Sequence, residues 1–235
     1  LSNSAKKPKI LIDCSSVGSD ESEAIRSKLS DMGIEYLACP VSGNGKAVKA
    51  GVLSIVASGP KGTFDTVKPY LEIIAPKGVS YVGEGELARF CKIAHNVMLG
   101  VVIQNLAEIT VLAEKAGVPR HAFLNFMNNS VMGSIFTKYK SNAFVNLDWT
   151  TTFTAPLLLK DLDLGLTSAK ELGVSMPVTA ATRQAVQQHA GRVQKLSEDN
   201  LAKDFGMLIE TVADGAGMTL VSENVVVPTG LEVKE

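Results

Sequence analysis

A chain of 235 residues that is 46% hydrophobic can bury one large core or two modest ones, and a formal net charge of −1 excludes a broad basic face for nucleic acid. Three cysteines, Cys14, Cys39 and Cys91, are odd in number and form no CxxC pair. They are expected as buried thiols in a reducing, cytoplasmic setting, with no metal site. No signal peptide or transit segment is visible in residues 2–9.

Lys9-Ile10-Leu11-Ile12-Asp13 is a short apolar run of the buried parallel-strand type, and Cys14-Ser15-Ser16-Val17-Gly18 follows it as a loop. Ser19 or Asp20 is the expected cap of a helix whose inner face carries Ile25, Leu29 and Met32 and which stops at Gly33. Residues 34–39 form a second strand, and a strand, helix, strand unit favours parallel pairing. The carboxyl ends of such strands, Ser15-Ser16 and Pro40-Val41-Ser42-Gly43-Asn44-Gly45, are where functional loops lie. A strand over 52–58, a helix over 63–74 and a last strand over 78–82 complete an α/β half.

Gly83-Glu84-Gly85 then leads into one long helix over Leu87 to Lys115, which has no internal proline and is ended by Gly117 and Pro119. Its second half, Val97 to Ala113, is apolar nearly all round and should be buried. Gln104, Asn105, Glu108 and the charged first half argue against a membrane span. Lys92 and Asn96 stand four apart and share a helical face, with Arg89 roughly on that side. An ammonium among Phe90, Cys91, Ile93 and Ala94 must reach water, pair with an anion or lose its proton easily. The ordinary reading is a lysine that snorkels from a half-buried helix.

Helical periodicity continues over 120–129, 134–141, 155–172, 178–190 and 200–213, with no strand between. The expected organisation is therefore a partial Rossmann-type parallel-sheet domain over 1–82, an all-helical domain over 83–218 opened by the long helix, and a tail over 219–235. Lys160, within Leu157-Leu158-Leu159-Lys160-Asp161-Leu162-Asp163, would ordinarily pair with Asp161, Asp163 or Asp204.

Taken together, Pro40-Val41-Ser42-Gly43, Gly83-Glu84-Gly85 with Lys92-Ile93-Ala94-His95-Asn96, and Leu159-Lys160-Asp161-Leu162 make the sequence resemble the β-hydroxyacid dehydrogenase family. That family includes 3-hydroxyisobutyrate dehydrogenase, tartronate semialdehyde reductase and, more distantly, 6-phosphogluconate dehydrogenase. The resemblance runs to about Met218. It implies an NAD- or NADP-dependent oxidoreductase that interconverts a small 3-hydroxy acid and its aldehyde or keto acid. Lys92 would be general acid in reduction and general base in oxidation, and Asn96 would hold the substrate. Ser42, Gly43 and Asn44 resemble the carboxylate loop, although the family's pattern usually has a second glycine where Asn44 stands. Ser16 falls where the nicotinamide is expected, Lys160 where a lysine closes over the cofactor, and Phe153 beside the same cleft. A homodimer or homotetramer without nucleic-acid or membrane partners is the implied assembly.

No GxGxxG opens a helix after a first strand, so the chain is expected to be the C-terminal part of a longer enzyme, cut before Leu1. Lys92-x-x-His95-Asn96 also matches the spacing of 6-phosphogluconate dehydrogenase, which makes His95 a substrate ligand in an alternative reading as an oxidative decarboxylase. A dehydrogenase-like module without catalysis, or without its cofactor site, is the remaining alternative.

Overall fold

The computed structural model describes residues 6–232. The chain divides into two compact units, Leu1–His95 and Asn96–Glu235. Strand and helix alternate in the first, except that two strands follow each other at 35–42. The β-branched run Ile10–Asp13 (β1) pairs parallel with Glu35–Ala38 (β2), from Ile10 opposite Glu35 to Asp13 opposite Ala38. Their crossover is Ser19–Ser30 (α1), whose cap is neither Ser19 nor Asp20 but Gly18, and whose first turn carries Asp20 and Glu21.

Val41–Ser42 (β3), Ser54–Ala57 (β4) and Gly78–Tyr81 (β5) form a second sheet in the order β3-β4-β5. β4 and β5 are parallel, as expected. Val41–Ser42, expected within a loop, runs antiparallel to β4. Mutual backbone hydrogen bonds of 3.0 and 2.9 Å between Ala38 and Ser58 tie the end of β2 to the end of β4. Gly45–Lys49 (α2) and Lys61–Ile74 (α3) are the intervening helices, and Phe64, Val67 and Leu71 of α3 pack with Leu37 and Ile55 of the strands in one core.

Only one cysteine matches the expected burial. Cys39 is inside the sheet, and burial, reinforced by neighbouring Cys14, pushes its thiol up to about 12. Cys14 lies just past the end of β1 and Cys91 on the long helix, and both are exposed.

That helix, Leu87–Lys115 (α4), has the expected bounds. By length and composition it could cross a membrane, but half of its most apolar window is buried, and Ile103, Leu106, Ala107 and Val111 belong to the core of the second unit. Burial is one-sided rather than all-round: Met98 and Leu112 are 68% and 70% exposed, because a helix packed along one stripe leaves the opposite stripe to solvent. Where α4 faces Ala155–Leu172 (α7), Gly100 permits the approach. A methyl group there would stand 2.9 Å from Leu162 Cδ2.

The second unit continues with Arg120–Asn129 (α5), Ile135–Asn146 (α6), α7, Pro177–Leu196 (α8) and Leu208–Gly215 (α9). Between α8 and α9 the expected single helix is broken into two short 3-10 turns, Glu198–Ala202 and Phe205–Met207. The break falls beside Asp204, whose carboxylate accepts the Gly206 N–H at 2.8 Å and holds the chain in a turn. Residues 219–232 form neither helix nor strand, yet they are anchored. Glu223 accepts the N–H groups of Arg120 and His121 at 2.8 and 2.9 Å, capping α5 from a distant part of the chain, and Asn146 binds both polar backbone groups of Val225.

His189 on α8 is 2% exposed, and its Nδ1 lies 2.8 Å from Thr211 Oγ1. Burial first, and the Arg192 charge second, push its imidazole down from 6.5 to about 4. The unfolded chain therefore takes up this proton before the folded one does. Stability from neutral His189 is complete above pH 6.5 and is lost as pH falls toward 4, in total on the order of 3 kcal/mol. Urea unfolding between pH 7 and 4.5 should show this slope, and His189→Asn should flatten it. An equal slope in the variant would mean that other groups carry it.

Candidate active site

The first-unit site begins at the carboxyl end of β1. Arg89, on the first turns of α4, is only 1% exposed, so its guanidinium requires partners inside. Nη2 donates to Asp13 Oδ2 at 2.6 Å and to the Tyr36 hydroxyl at 2.7 Å. Nε donates to Ser22 Oγ at 3.0 Å, and Nη1 to the Ser15 carbonyl. Burial alone would raise the Asp13 carboxyl, but hydrogen bonds from Ser15 and Tyr36 and the Arg89 charge hold it at about 2. Arg89 is thus a buried tether between α4 and the loop that carries exposed Ser16, and it is not among the residues that line the Lys92 pocket.

The second element of this site is β3 with its following turn. Ser42 Oγ lies 2.9 Å from His95 Nε2, a contact between residues 53 apart in sequence. Both line one pocket of about 340 Å³ together with Lys92, which is half-buried. Cys91, Ser54, Ser80 and Lys77 also face this pocket, and among the described residues no aspartate or glutamate lines it.

Gly43 and Asn44 serve the turn itself. Gly43 adopts φ +136°, and a Cβ there would meet Leu53 Cδ1 at 2.8 Å and Ala47 Cβ at 2.9 Å. Asn44 Oδ1 accepts from the N–H groups of Lys46 and Ala47 at 3.0 and 3.1 Å, which caps α2. The side chain at the position where a second glycine was anticipated therefore has a structural task. Gly43→Ala is expected to cost about 1–3 kcal/mol and to displace Ser42. Thermal unfolding measures the first effect, and loss of the Ser42 contact to His95, seen in the His95 ring NMR signals, the second.

Asn96, Lys160 and Phe153 belong to the second unit. Asn96 is 8% exposed, and its Nδ2 donates to Asp161 Oδ2 at 2.7 Å, which turns its Oδ1 away from that carboxylate. Lys160, with a side chain 46% exposed, pairs with Asp161 Oδ1 at 3.1 Å. Buried Asp161 therefore joins two residues that the sequence singled out separately. Its sequence signal is only that of one of three possible partners of Lys160. Phe153 packs edge-on against Phe205, ring centroids 5.7 Å apart, in the helical core. Among the described residues no group of three His, Cys, Asp or Glu side chains is placed to hold a metal ion.

A nicotinamide dinucleotide has a reactive ring at one end and a charged pyrophosphate in the middle. The exposed polar loop of Ser15 and Ser16, pinned at the end of β1 by Arg89, fits the ring end. The start of α1 does not fit a pyrophosphate, because Asp20 and Glu21 occupy the first turn, where anions need N–H groups and no negative charge.

Residues 87–203 match the family model described as the NAD-binding domain of NADP-dependent 3-hydroxyisobutyrate dehydrogenase. Residues 1–83 match that described as the NAD binding domain of 6-phosphogluconate dehydrogenase. The chain is 29% identical over 201 residues to 2-(hydroxymethyl)glutarate dehydrogenase of Eubacterium barkeri, covering 85% of this chain and 66% of the relative. It is 28% identical over 178 residues to 2-hydroxy-3-oxopropionate reductase of Escherichia coli, covering 76% and 61%. It thus spans less than two thirds of the length of these curated relatives. Among solved structures, 3-hydroxyisobutyrate dehydrogenase of Salmonella typhimurium superposes with a TM-score of 0.78 at 24% identity, covering 87% of this chain and 70% of that one. The Mycobacterium tuberculosis 3-hydroxyisobutyrate dehydrogenase gives 0.72 at 22%, covering 88% and 71%. At these identities the likeness is one of fold. The two family models, adjacent and in order along almost the whole chain, together with the named relatives, settle the classification: the chain belongs to the β-hydroxyacid dehydrogenase family.

Proposed function

We propose that this protein is an NAD- or NADP-dependent oxidoreductase that interconverts a small 3-hydroxy acid and its aldehyde or keto acid. The observation that carries the reading is the meeting of Ser42, His95 and Lys92 at one pocket that no carboxylate lines among the described residues. The cofactor, when bound, supplies or takes the hydride. Lys92 Nζ gives a proton to the carbonyl oxygen during reduction and takes it back during oxidation. Ser42 Oγ and the backbone at Gly43 orient the substrate carboxylate, with His95 fixing the Ser42 hydroxyl. Asn96, whose Nδ2 donates to Asp161, would hold the substrate hydroxyl or carboxylate. Ser16 would contact the nicotinamide end, and Lys160 and Phe153 would flank the cofactor. Residues 1–82 then act as the cofactor-side domain and 83–218 as the helical domain of a cytoplasmic homodimer or homotetramer. The exposed stripe of Met98 and Leu112 on α4 is an apolar seam for that assembly, and light scattering after gel filtration tests it.

A decarboxylase for a phosphorylated substrate is less well supported. Every arginine is already committed to a carboxylate: Arg26 to Glu86, Arg89 to Asp13, Arg120 to Glu114, Arg183 to Asp163 and Arg192 to Asp214. The deciding experiment titrates the protein with NADH and NADPH by fluorescence, then follows oxidation of a panel of 3-hydroxy acids. Reduced cofactor formed without carbon dioxide supports the dehydrogenase. Stoichiometric carbon dioxide supports the decarboxylase, and absence of turnover with every acid removes the enzymatic reading.

A further inference from the structure

We propose that the pocket beside Lys92 holds a second anion subsite, built by Lys77 with Ser54 and Ser80, and that the acid it takes is a dicarboxylate. This rests on the reading of that pocket as the substrate site, and it adds residues that neither the motifs nor the family resemblance singles out.

Strand register defines the subsite. Ser42 on β3 is opposite Ser54 on β4, and Ser54 is opposite Gly78 on β5, so these three positions form one row across the sheet. Residues paired in register point to the same face, as do residues two apart, which places Ser80 on that face as well. Adjacent strands are about 4.8 Å apart, so the row carries the pocket roughly 10 Å from Ser42 to Gly78, where Lys77 enters. One end of the pocket therefore offers Ser42, His95 and Lys92, and the other offers Lys77 with two serine hydroxyls.

The charge pattern points the same way. Lys61 and Lys68 pair with Asp65 and Glu72 one turn away, whereas among the described residues no carboxylate stands within ion-pairing distance of Lys77. Among the described residues the pocket wall has two lysines, a histidine, three serines and no acid. A concave site lined by one sign of charge concentrates ligands of the other sign. A monocarboxylate engaged at Ser42 leaves the Lys77 end uncompensated. A hydroxy acid of about four to six carbons, with bonds of about 1.5 Å, spans both ends once the reach of the lysine and serine side chains is added. The backbone of Lys77 is held independently by its N–H to the Leu53 carbonyl at 3.1 Å, so its side chain can be changed without loosening the turn.

The test is calorimetric titration of the protein with 3-hydroxyglutarate and with 3-hydroxybutyrate, which needs no turnover. The dicarboxylate should bind roughly tenfold more tightly, the scale of one charge-assisted contact. That ratio should fall toward one in Lys77→Ala, invert in Lys77→Glu, and shrink with added salt in the unaltered protein. Circular dichroism confirms that the variants remain folded. A ratio near one in the unaltered protein, or one that Lys77→Ala leaves in place, overturns the subsite. The substrate-site reading fails separately. If 3-hydroxybutyrate binds and Ser42→Ala abolishes it while the ratio is one, only the Lys77 subsite is wrong. If neither acid binds, both readings fall.

Discussion

Lys92→Ala is expected to lower kcat by about 100- to 10,000-fold, the range for removing a positioned general acid or base. KM for the hydroxy acid should change far less, since Ser42, His95 and the Gly43 turn remain to hold the carboxylate. Lys92→Arg separates charge from proton transfer. A guanidinium keeps the positive charge but does not release its proton near neutral pH, so it should restore binding and not turnover. Steady-state kinetics with the preferred cofactor reads both numbers, and primary deuterium isotope effects show whether hydride transfer has become limiting. A kcat in Lys92→Ala within about threefold of the unaltered enzyme would remove the lysine from the chemistry.

Lys140→Met should destabilise the protein by about 3–5 kcal/mol, the cost of stranding a buried charge. Lys140 and Asp204 are both 2% exposed and meet at 2.5 Å. The ammonium also binds Thr152 Oγ1 at 2.9 Å and lies 4.2 Å from the centre of the Phe205 ring. The aspartate accepts from Thr152 N and Oγ1 and from Gly206 N. Burial would raise its carboxyl, but the Lys140 charge and these hydrogen bonds hold it below its usual 3.8. The pair's contribution is therefore present above that value and lost as pH falls below it. In Lys140→Met the same carboxyl should take up a proton more readily, so the variant's deficit should narrow in acid. Adding Asp204→Asn removes the stranded charge while keeping the turn's acceptor, and should return part of the loss. Urea midpoints at two pH values suffice, and a double variant no more stable than the single one would contradict the charge argument.

The lesson about reading the chain lies in which contacts were short in sequence. α4, α5 and α7 have the bounds expected from periodicity and stop signals, because Gly117 at φ +94° and Gly173 at φ +68° end helices through backbone geometry set within a turn. Lys92 and Asn96 share a face for the same local reason. The antiparallel strand Val41–Ser42 is two residues long, too short for any periodicity to show in the sequence.

By itself, then, the sequence determined the α/β-then-helical order, the long helix that carries Lys92 and Asn96, and the family motifs along it, since propensity, capping and spacing act over a few residues. Tertiary structure alone decided that Arg89 is a buried tether, that Asn44 caps α2, that Asp161 joins Asn96 to Lys160, that Ser42 meets His95, and that Lys77 reaches their pocket. Most of these depend on strand register and helix packing between residues far apart in the chain, and the Asn44 cap depends on the backbone course of one short turn. No local rule specifies which buried polar group will find which partner; the fold decides that, because a desolvated charge or N–H is costly unless it is paired, and most of them are, Arg120 Nε and Arg192 Nη1 being exceptions.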